Sequence, residues 1–357
     1  MSLHLQNVEV DAGAQAIIRD VSLTLERGSM NVLLGETLAG KTTLMRLMAG
    51  LDQPTRGTVL VDGRDARTIP VRKRSVAMVY QQFVNYPSLT IYENIASPLR
   101  VAGLKREEID QKVKRVAAVL GITPLLERLP TQVSGGQQQR TAIARAIVKG
   151  ADLVLLDEPL ANLDYKLREE LREELPRILG ETQSILVYAT TEPLEALLLR
   201  GNTATLSKGR VAQFGRAHEV YHHPVSLESA RAFSDPPLNE IAVRKVSSIL
   251  HLGPQQSEAL GVLSRLRDGD YTLGFRADVV SLSRPWAQSL TIPGEVTVAE
   301  ISGSESFVHL KTALGTFVCV EAGVSNLQPG QRIDMHVDAT RLFVFDPAGA
   351  YAAGVDE

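Results

Sequence analysis

The chain has 357 residues, 44% hydrophobic and 22% charged, a length and composition suited to two or three globular domains. Lys and Arg number 38 against 41 Asp and Glu, so the charge balance gives no bulk attraction to nucleic acid. The one cysteine excludes an internal disulfide framework. We expect no signal peptide, and no apolar run approaches the roughly 20 residues that a membrane helix needs. Any membrane role is therefore expected to act through a partner.

Strand-like and helix-like segments alternate over the first part of the chain. The run MNVLL at 30–34 is typical of a buried strand, and KTTLMRLMA at 41–49 follows it with helical apolar spacing. Two further strand-like runs occupy 152–156 and 184–189, while 105–120 has helical spacing and is expected to belong to a helical insertion. This alternation predicts an α/β core with a mostly parallel sheet.

The pattern changes near FSDPPLN at 233–239, where two adjacent prolines disfavour a helix and indicate a boundary. Beyond this point, short alternating runs separated by turn residues are predicted as strands at 272–275, 295–301, 307–310, 316–320, 332–337 and 342–345. Short strands at such spacing predict a small all-β barrel or sandwich.

The loop GETLAGKT at 35–42 matches the phosphate-loop pattern in full. Its glycines let backbone N–H groups surround an anion, and the following helix points its positive end at the same place. Lys41 is expected to reach the β- and γ-phosphates of a nucleotide, and the Thr42 hydroxyl to ligate Mg²⁺. Glu36 is unusual in this loop, because a carboxylate repels a triphosphate unless it points to solvent. The predicted nucleotide-binding residues of the loop are Gly35, Leu38, Ala39, Gly40, Lys41, Thr42 and Thr43.

An acidic pair ends the strand-like run LVLLDEPL at 153–160. In phosphoryl transfer, an Asp at such a strand end holds hydrated Mg²⁺, and a neighbouring carboxylate polarises the attacking water. Asp157 is therefore predicted to bind Mg²⁺ and nucleotide, and Glu158 to be the catalytic carboxylate. An acidic turn after a strand is also a common structural feature, so the assignment depends on the motif that precedes it.

That motif is VSGGQQQR at 133–140, which lies between the phosphate loop and the acidic strand end. The three motifs in this order resemble the ATP-binding cassette (ABC) family, the motor subunits of membrane transporters. Small residues at a helix start allow close approach to a phosphate, and the helix dipole favours the anion. The resemblance implies a composite site, in which this signature serves the ATP held by a second subunit. The signature residues are Ser134, Gly135, Gly136 and Gln137, and Val133 stands where the family has Leu.

The resemblance assigns roles to further positions. Gln81, in VYQQF, matches the family glutamine that senses Mg²⁺ and links the site to the transmembrane partner, although adjacent Gln82 leaves this assignment open by one residue. Asp164 matches an Asp that contacts the opposite subunit. Residues 85–104 resemble the face on which a transporter's coupling helix docks, but their aromatics are equally compatible with a helical-subdomain core.

Two positions depart from the family pattern. The family has a histidine after its last core strand that contacts the γ-phosphate and orients the catalytic glutamate. Here Thr191 takes that position and lacks the charge and reach of an imidazole. The family also stacks adenine on an aromatic residue near Ala12, and this chain has no aromatic residue before Tyr80. Losing a stack worth roughly 1–3 kcal/mol weakens binding by about one to two orders of magnitude. Together with Glu36, these departures predict a degenerate site on this chain.

The resemblance extends across nearly the whole chain. The stretch PLANLDYKLREELREEL resembles the carbohydrate-importer subgroup, and 273–282 and 330–346 resemble its appended OB-type (TOBE-like) regulatory domain. The phosphate loop and the VYQQFVNYPSLT phrase look most like the ATPases of bacterial glycerol importers, which work as paired unlike subunits. The implied fold is a P-loop NTPase (RecA-like) ABC nucleotide-binding domain at 1–233, with a helical subdomain at about 85–150, and an all-β domain at 234–357.

The resemblance thus predicts an energy-coupling ATPase of a bacterial importer for glycerol or a related polyol or sugar, using ATP and Mg²⁺. It would be peripheral on the cytoplasmic face of the inner membrane. Its expected partners are transmembrane permease subunits, a second and different ATPase chain and, indirectly, a solute-binding protein, with no nucleic acid. Three alternatives stay open: a catalytically weak structural and regulatory subunit, a fully active homodimer, and a cassette protein acting on ribosomes or DNA.

Overall fold

A computed structural model describes residues 1–13, 15–82, 84–161, 163, 166, 168–169, 171–172, 183–283 and 286–354. These residues form two compact units, Met1–His218 and Glu219–Glu357. The predicted boundary at residue 233 falls inside the second unit, directly after a short helix, Leu227–Ala232.

The strands of the first unit form two sheets. In chain order they are β1 Leu3–Ala12, β2 Gln15–Leu25, β3 Met30–Leu34, β4 Arg56–Val61, β5 Arg64–Asp65, β6 Val76–Val79, β7 Leu153–Asp157, β8 Ile185–Thr190, β9 Asn202–Ser207 and β10 Arg210–Arg216. One sheet is 4-stranded with the order β2-β1-β4-β5, and its pairs are antiparallel. The other is 6-stranded with the order β10-β9-β3-β8-β7-β6, and all of its pairs except β10 with β9 are parallel.

The described helices of the first unit are α1 Lys41–Ala49, α2 Ile91–Val101, α3 Arg106–Val119, α4 Gly135–Val148 and α5 Pro193–Leu198, with 3-10 turns at Ala66–Thr68, Val71–Lys73, Thr123–Leu125 and Pro130–Gln132. Two of these helices, α2 and α4, begin at side-chain caps. Before α2, the Thr90 hydroxyl accepts from Glu93 N at 3.1 Å, and the Glu93 carboxylate accepts from Thr90 N at 3.0 Å. Ser134 and Gln137 form the same reciprocal capping box at the start of α4.

The parallel strands bring the predicted site residues to one edge. Strand β3 runs directly into the phosphate loop, β7 ends at Asp157 and β8 ends at Thr190. Gly35 N donates to Thr190 O at 3.3 Å, and Glu158 N donates to Ala189 O at 3.0 Å. Because the carboxyl ends of parallel strands lie at the same edge of a sheet, the loop, the acidic pair and Thr191 converge there.

The second unit is built mainly of antiparallel strands. These are β11 Asn239–Val246, β12 Ile249–Leu252, β13 Gln255–Glu258, β14 Gly269–Phe275, β15 Val280–Ser281, β16 Ser289–Ser302, β17 Glu305–Thr312, β18 Gly315–Ala322, β19 Arg332–Asp338, β20 Phe343–Phe345 and β21 Tyr351–Ala353. They form a 6-stranded sheet, β13-β12-β11-β14-β20-β21, and a 5-stranded sheet, β15-β19-β16-β17-β18. Two short helices, α6 Ala217–His222 and α7 Leu227–Ala232, precede the strands, and 3-10 turns lie at Gly261–Arg265 and Ala277–Val279.

The core of this unit is apolar and contains an aromatic pair. The rings of Phe275 and Phe317 lie 5.9 Å apart at an interplanar angle of 30°. Along β17 the buried residues Val308 and Leu310 alternate with less buried neighbours, which is the pattern of a strand with one face on a core.

The predicted fold class is confirmed: a parallel α/β core is followed by an all-β unit. Helix α1 has the predicted bounds, and α3 lies within the predicted 105–120 segment. The strands predicted after residue 239 coincide with observed strands, but β11, β12, β13, β15 and β21 were not predicted. The antiparallel sheet of β1, β2, β4 and β5 was also missed.

Candidate functional site

The phosphate loop is held in a conformation that depends on glycine. Gly40 has φ 104 and caps the start of α1, and Leu38 also has positive φ, at 68. A Cβ at Gly35 would lie 2.4 Å from Leu206 O, so the loop passes too close to the neighbouring strand for a side chain. Leu38 is 96% exposed, and the Glu36 side chain also lies on the surface rather than inside the loop.

Lys41 is folded back into the loop that it follows. Its Nζ donates to Gly35 O at 2.7 Å and to Glu36 O at 3.1 Å, and lies 3.3 Å from Oε1 of Glu158. The side chain is 5% exposed, so this cation is taken out of water and fixed beside the loop amides. A buried ammonium bonded to carbonyls and a carboxylate is suited to exchange these acceptors for the oxygens of a bound phosphate.

The exposed residue Thr42 and the buried residue Asp157 form an oxygen pair. The Thr42 hydroxyl donates to Oδ2 of Asp157 at 2.7 Å. Burial raises the pKa of Asp157 above its ordinary value, and the nearby Glu158 carboxylate raises it further, against the opposing effects of the Thr42 hydrogen bond and the Lys41 charge. A carboxylate and a hydroxyl are hard oxygen ligands that fit Mg²⁺. The described residues contain no cluster of three or more His, Cys, Asp or Glu that could hold a metal ion.

Glu158 is held from two sides. Nε2 of Gln81 donates to its Oε2 at 2.8 Å, and Lys41 approaches its other oxygen. The residue has φ 45, a left-handed conformation that is uncommon for a non-glycine residue. The structure thus brings Gln81 to the acidic pair, and the sequence alone could not distinguish Gln81 from Gln82.

Thr191 follows β8 directly and is exposed. The preceding residue is anchored: the Thr190 hydroxyl donates to Oε2 of Glu195 at 2.5 Å and accepts from Glu192 N at 3.0 Å. Glu195 is buried, and Oε1 accepts from the Arg172 guanidinium at 3.3 Å. Sequence analysis did not identify this network, because its members become neighbours only in the folded unit.

The signature residues form the exposed start of α4. Ser134 and Gln137 are bonded to each other through the capping box, and Asn85 Nδ2 donates to the carbonyl of the adjacent Gln138 at 2.8 Å. Within the described part of the chain, no hydrogen bond joins these residues to the phosphate loop. Ala12 lies exposed at the end of β1. Asp164 lies outside the described residues.

These features define a phosphate-loop nucleotide-binding domain: a strand leads through a glycine loop into a helix that carries Lys and Thr, and a parallel strand beside it leads into two carboxylates. Residues 18–161 match the ABC transporter family, and residues 273–345 match the TOBE domain. The chain is 34% identical over 354 residues to the trehalose/maltose import ATP-binding protein MalK of Thermococcus litoralis, with 94% of each chain covered. It is 33% identical over 346 residues to the sn-glycerol-3-phosphate import ATP-binding protein UgpC 3 of Rhizobium etli, covering 96% of this chain and 97% of that protein. The chain therefore belongs to the ABC transporter ATPases, with a C-terminal TOBE domain.

A solved structure is consistent with the same family. A dimeric ATP-binding cassette in a post-hydrolysis state, bound to ADP and Pi, matches with a TM-score of 0.55 and 27% identity. The match covers 60% of this chain and 98% of that cassette. No helix in the described residues combines the length and the apolar character needed to cross a membrane.

Proposed function

We propose that this chain is the ATP-binding, energy-coupling subunit of a bacterial importer for glycerol or a related polyol or sugar, peripheral on the cytoplasmic face of the membrane. The observation that carries the proposal is the meeting of Lys41, Thr42, Asp157 and Glu158 at one edge of the parallel sheet. The relatives named as sugar and glycerol-3-phosphate import ATP-binding proteins support the solute class.

Each residue of the site has a defined task in this proposal. Lys41 exchanges its loop carbonyls for the β- and γ-phosphate oxygens of ATP, and the loop amides donate to the same anion. Thr42, Asp157 and Gln81 would hold Mg²⁺, which supplies charge neutralisation for the phosphates when bound. Glu158 polarises the attacking water, and its two contacts, from Lys41 and Gln81, fix the direction of its carboxylate.

A groove in the first unit supports a permease partner. It has a volume of about 510 Å³ and is lined mainly by apolar residues of β6, α2 and α4. Two exposed side chains on the predicted docking segment, Tyr86 at 50% and Val101 at 90%, stand at this groove. The Arg145 guanidinium lies 5.0 Å from the Tyr86 ring centroid and also donates to Val84 O. We propose that the transmembrane subunits dock in this groove. Two of its lining residues, Met78 and Tyr86, lie three residues before and five residues after Gln81 along the chain.

We further propose that the motor is an unlike pair. Thr191 replaces the histidine, and Ala12 offers no aromatic ring for adenine. The side chain of Glu36, the third departure predicted from the sequence, lies on the surface, so the proposal does not depend on its charge. Thr191 and Ala12 both affect this chain's own nucleotide, whereas the start of α4 serves the nucleotide of the second subunit. A weak site on this chain would then alternate with a consensus site on a different ATPase.

Native mass spectrometry on the complex, isolated from membranes through a tag on this chain, tests the composition. We expect two permease subunits, one copy of this chain and one different ATPase. Two copies of this chain would reject the unlike pair and leave a homodimer in which Glu158 works without the histidine.

ATP turnover by the purified transporter tests the function itself. We expect turnover that rises when a solute-binding protein loaded with glycerol or a related polyol is added. A purified complex that neither binds nor hydrolyses ATP under any of these conditions would reject the proposed motor role.

A further inference from the structure

A buried side-chain amide of α4, the helix that begins at the signature, donates a hydrogen bond to the turn that contains Glu158. Gln139 lies in the second turn of α4 and is 1% exposed. Its Nε2 donates to the carbonyl oxygen of Pro159 at 2.5 Å. Its Oε1 is buried and has no hydrogen-bond partner among the described residues. Leaving an amide oxygen unpaired in a protein interior is costly, so a Met of similar length would suit this position better on packing grounds alone.

The acceptor of that bond is the residue after Glu158. Pro159 has no N–H, so its carbonyl is its one backbone hydrogen-bonding group, and Gln139 occupies it. Glu158 itself has φ 45, and its carbonyl accepts from Ala161 N at 3.3 Å. A left-handed non-glycine residue persists only where its surroundings hold it, and the direction of the Glu158 carboxylate follows from that backbone conformation.

The same helix begins at the signature. Ser134 caps α4, and Gln138 N donates back to Ser134 O at 2.9 Å in its first turn. A short, regular helix moves as a rigid element, so displacement of its start shifts Gln139 as well. The hydrogen bond between Gln139 and Pro159 therefore links the start of α4, which would serve the second subunit's nucleotide, to Glu158, which would serve the nucleotide of this chain.

We propose that Gln139 is a positioning residue. Its hydrogen bond to Pro159 holds the backbone turn that contains Glu158. The same bond transmits to this turn any movement of α4 that occurs when the signature binds the second subunit's nucleotide. This inference rests on the proposed function, since it assigns Glu158 the role of polarising water. The proposed role of Gln139 needs no contact with nucleotide or water, because the side chain acts through Pro159 and the backbone of Glu158.

Two variants of the same helix test the proposal. Gln139→Met removes the donor and keeps the length of the side chain, and Gln138→Met makes the same change one residue earlier, where the side chain is only partly buried. In the purified complete transporter, Gln139→Met should lower kcat about tenfold and leave KM for ATP within about twofold. Gln138→Met should leave both within about twofold. In a Glu158→Gln background, Gln139→Met should cause no further loss, because both changes act on one step.

Amide exchange gives a readout that does not depend on turnover. In the full chain, Gln139→Met should accelerate exchange of the Ala161 amide about tenfold, and Gln138→Met should not. Unchanged exchange in Gln139→Met overturns the inference whatever the activity. An equal loss of kcat with and without Glu158→Gln also overturns it. If the wild-type transporter has no Glu158-dependent turnover, the proposed catalytic role fails, and exchange alone decides the link between Gln139 and the turn.

Discussion

Nε2 of Gln81 donates a 2.8 Å hydrogen bond to the Glu158 carboxylate across 77 residues of sequence. Gln81 lies two residues after the edge strand β6, and Glu158 directly follows β7, the parallel neighbour of β6. Gln81 is also five residues before Tyr86 of the apolar groove. If a permease docks in this groove, as we propose, its movement would have a short covalent route to Glu158, and Gln81 would both sense the nucleotide site and transmit motion from the membrane.

Replacement of Gln81 by Ala should lower turnover more than binding. A hydrogen bond to a charged group is worth about 1.5–3 kcal/mol, so kcat should fall about tenfold or more while KM for ATP stays within about twofold. Gln82→Ala is the matched control, because both side chains are exposed and adjacent. Steady-state ATP hydrolysis by the complete transporter measures both. A loss confined to Gln82→Ala would move the assignment by one residue.

Removal of the Lys41 ammonium should weaken nucleotide binding at this chain. The cation is buried and bonded inside the loop, and losing its charge-assisted bonds to phosphate should reduce ATP affinity about tenfold to a hundredfold in Lys41→Ala. Titration calorimetry on the full chain gives Kd directly. Lys112→Ala, on the exposed face of α3, controls for the loss of one positive charge. Equal affinities for wild type and Lys41→Ala would contradict the assignment.

The parallel core and its site were predictable because their signals are local. Short apolar runs, a glycine loop and acidic strand ends each occupy a few consecutive residues, and parallel topology then brings the strand ends together. Strands β1 and β2 were missed although apolar and polar residues alternate through VEVD and VSLTL, which is a strand signal. Their pairing contains three register shifts and cannot be derived from either segment alone. The contacts of Glu195 with Arg172 and Tyr188 were unpredictable for a related reason, since a buried polar network depends on tertiary packing.

Cys319 should report on the folded state of the TOBE-containing unit. It is the one cysteine of the chain and is fully buried in β18. Burial raises the pKa of the thiol far above its ordinary value, and the nearby Glu321 carboxylate adds to the shift. The thiolate is the reactive form, so a thiol reagent should modify the folded chain at least about a hundredfold more slowly than the denatured chain.

The rate of thiol labelling should rise with pH in the denatured chain and stay low in the folded chain. Between pH 7 and 9 the denatured chain should react progressively faster, because an unperturbed thiol ionises near about pH 8.5. The folded chain should stay slow across that range, since its thiol remains protonated and inaccessible. Cys319→Ala gives the background rate. Similar labelling rates for folded and denatured chains at pH 8 would show that the strand carrying Cys319 is open in solution.

Thr191→His tests whether the missing histidine weakens this chain's nucleotide site, as the proposed unlike pair requires. The position is exposed, and Thr190 just before it is fixed by Glu195, so an imidazole can be added without repacking the strand end. A histidine there can contact the γ-phosphate and orient Glu158, and turnover at this chain's site should rise about tenfold. Thr191→Gln adds length without an imidazole and should not reproduce the gain. If kcat at saturating ATP is unchanged in Thr191→His, the weakness of the proposed site is due instead to Ala12. Ala12→Tyr should then restore ATP affinity, because the missing contribution would be base stacking and not orientation of the catalytic carboxylate.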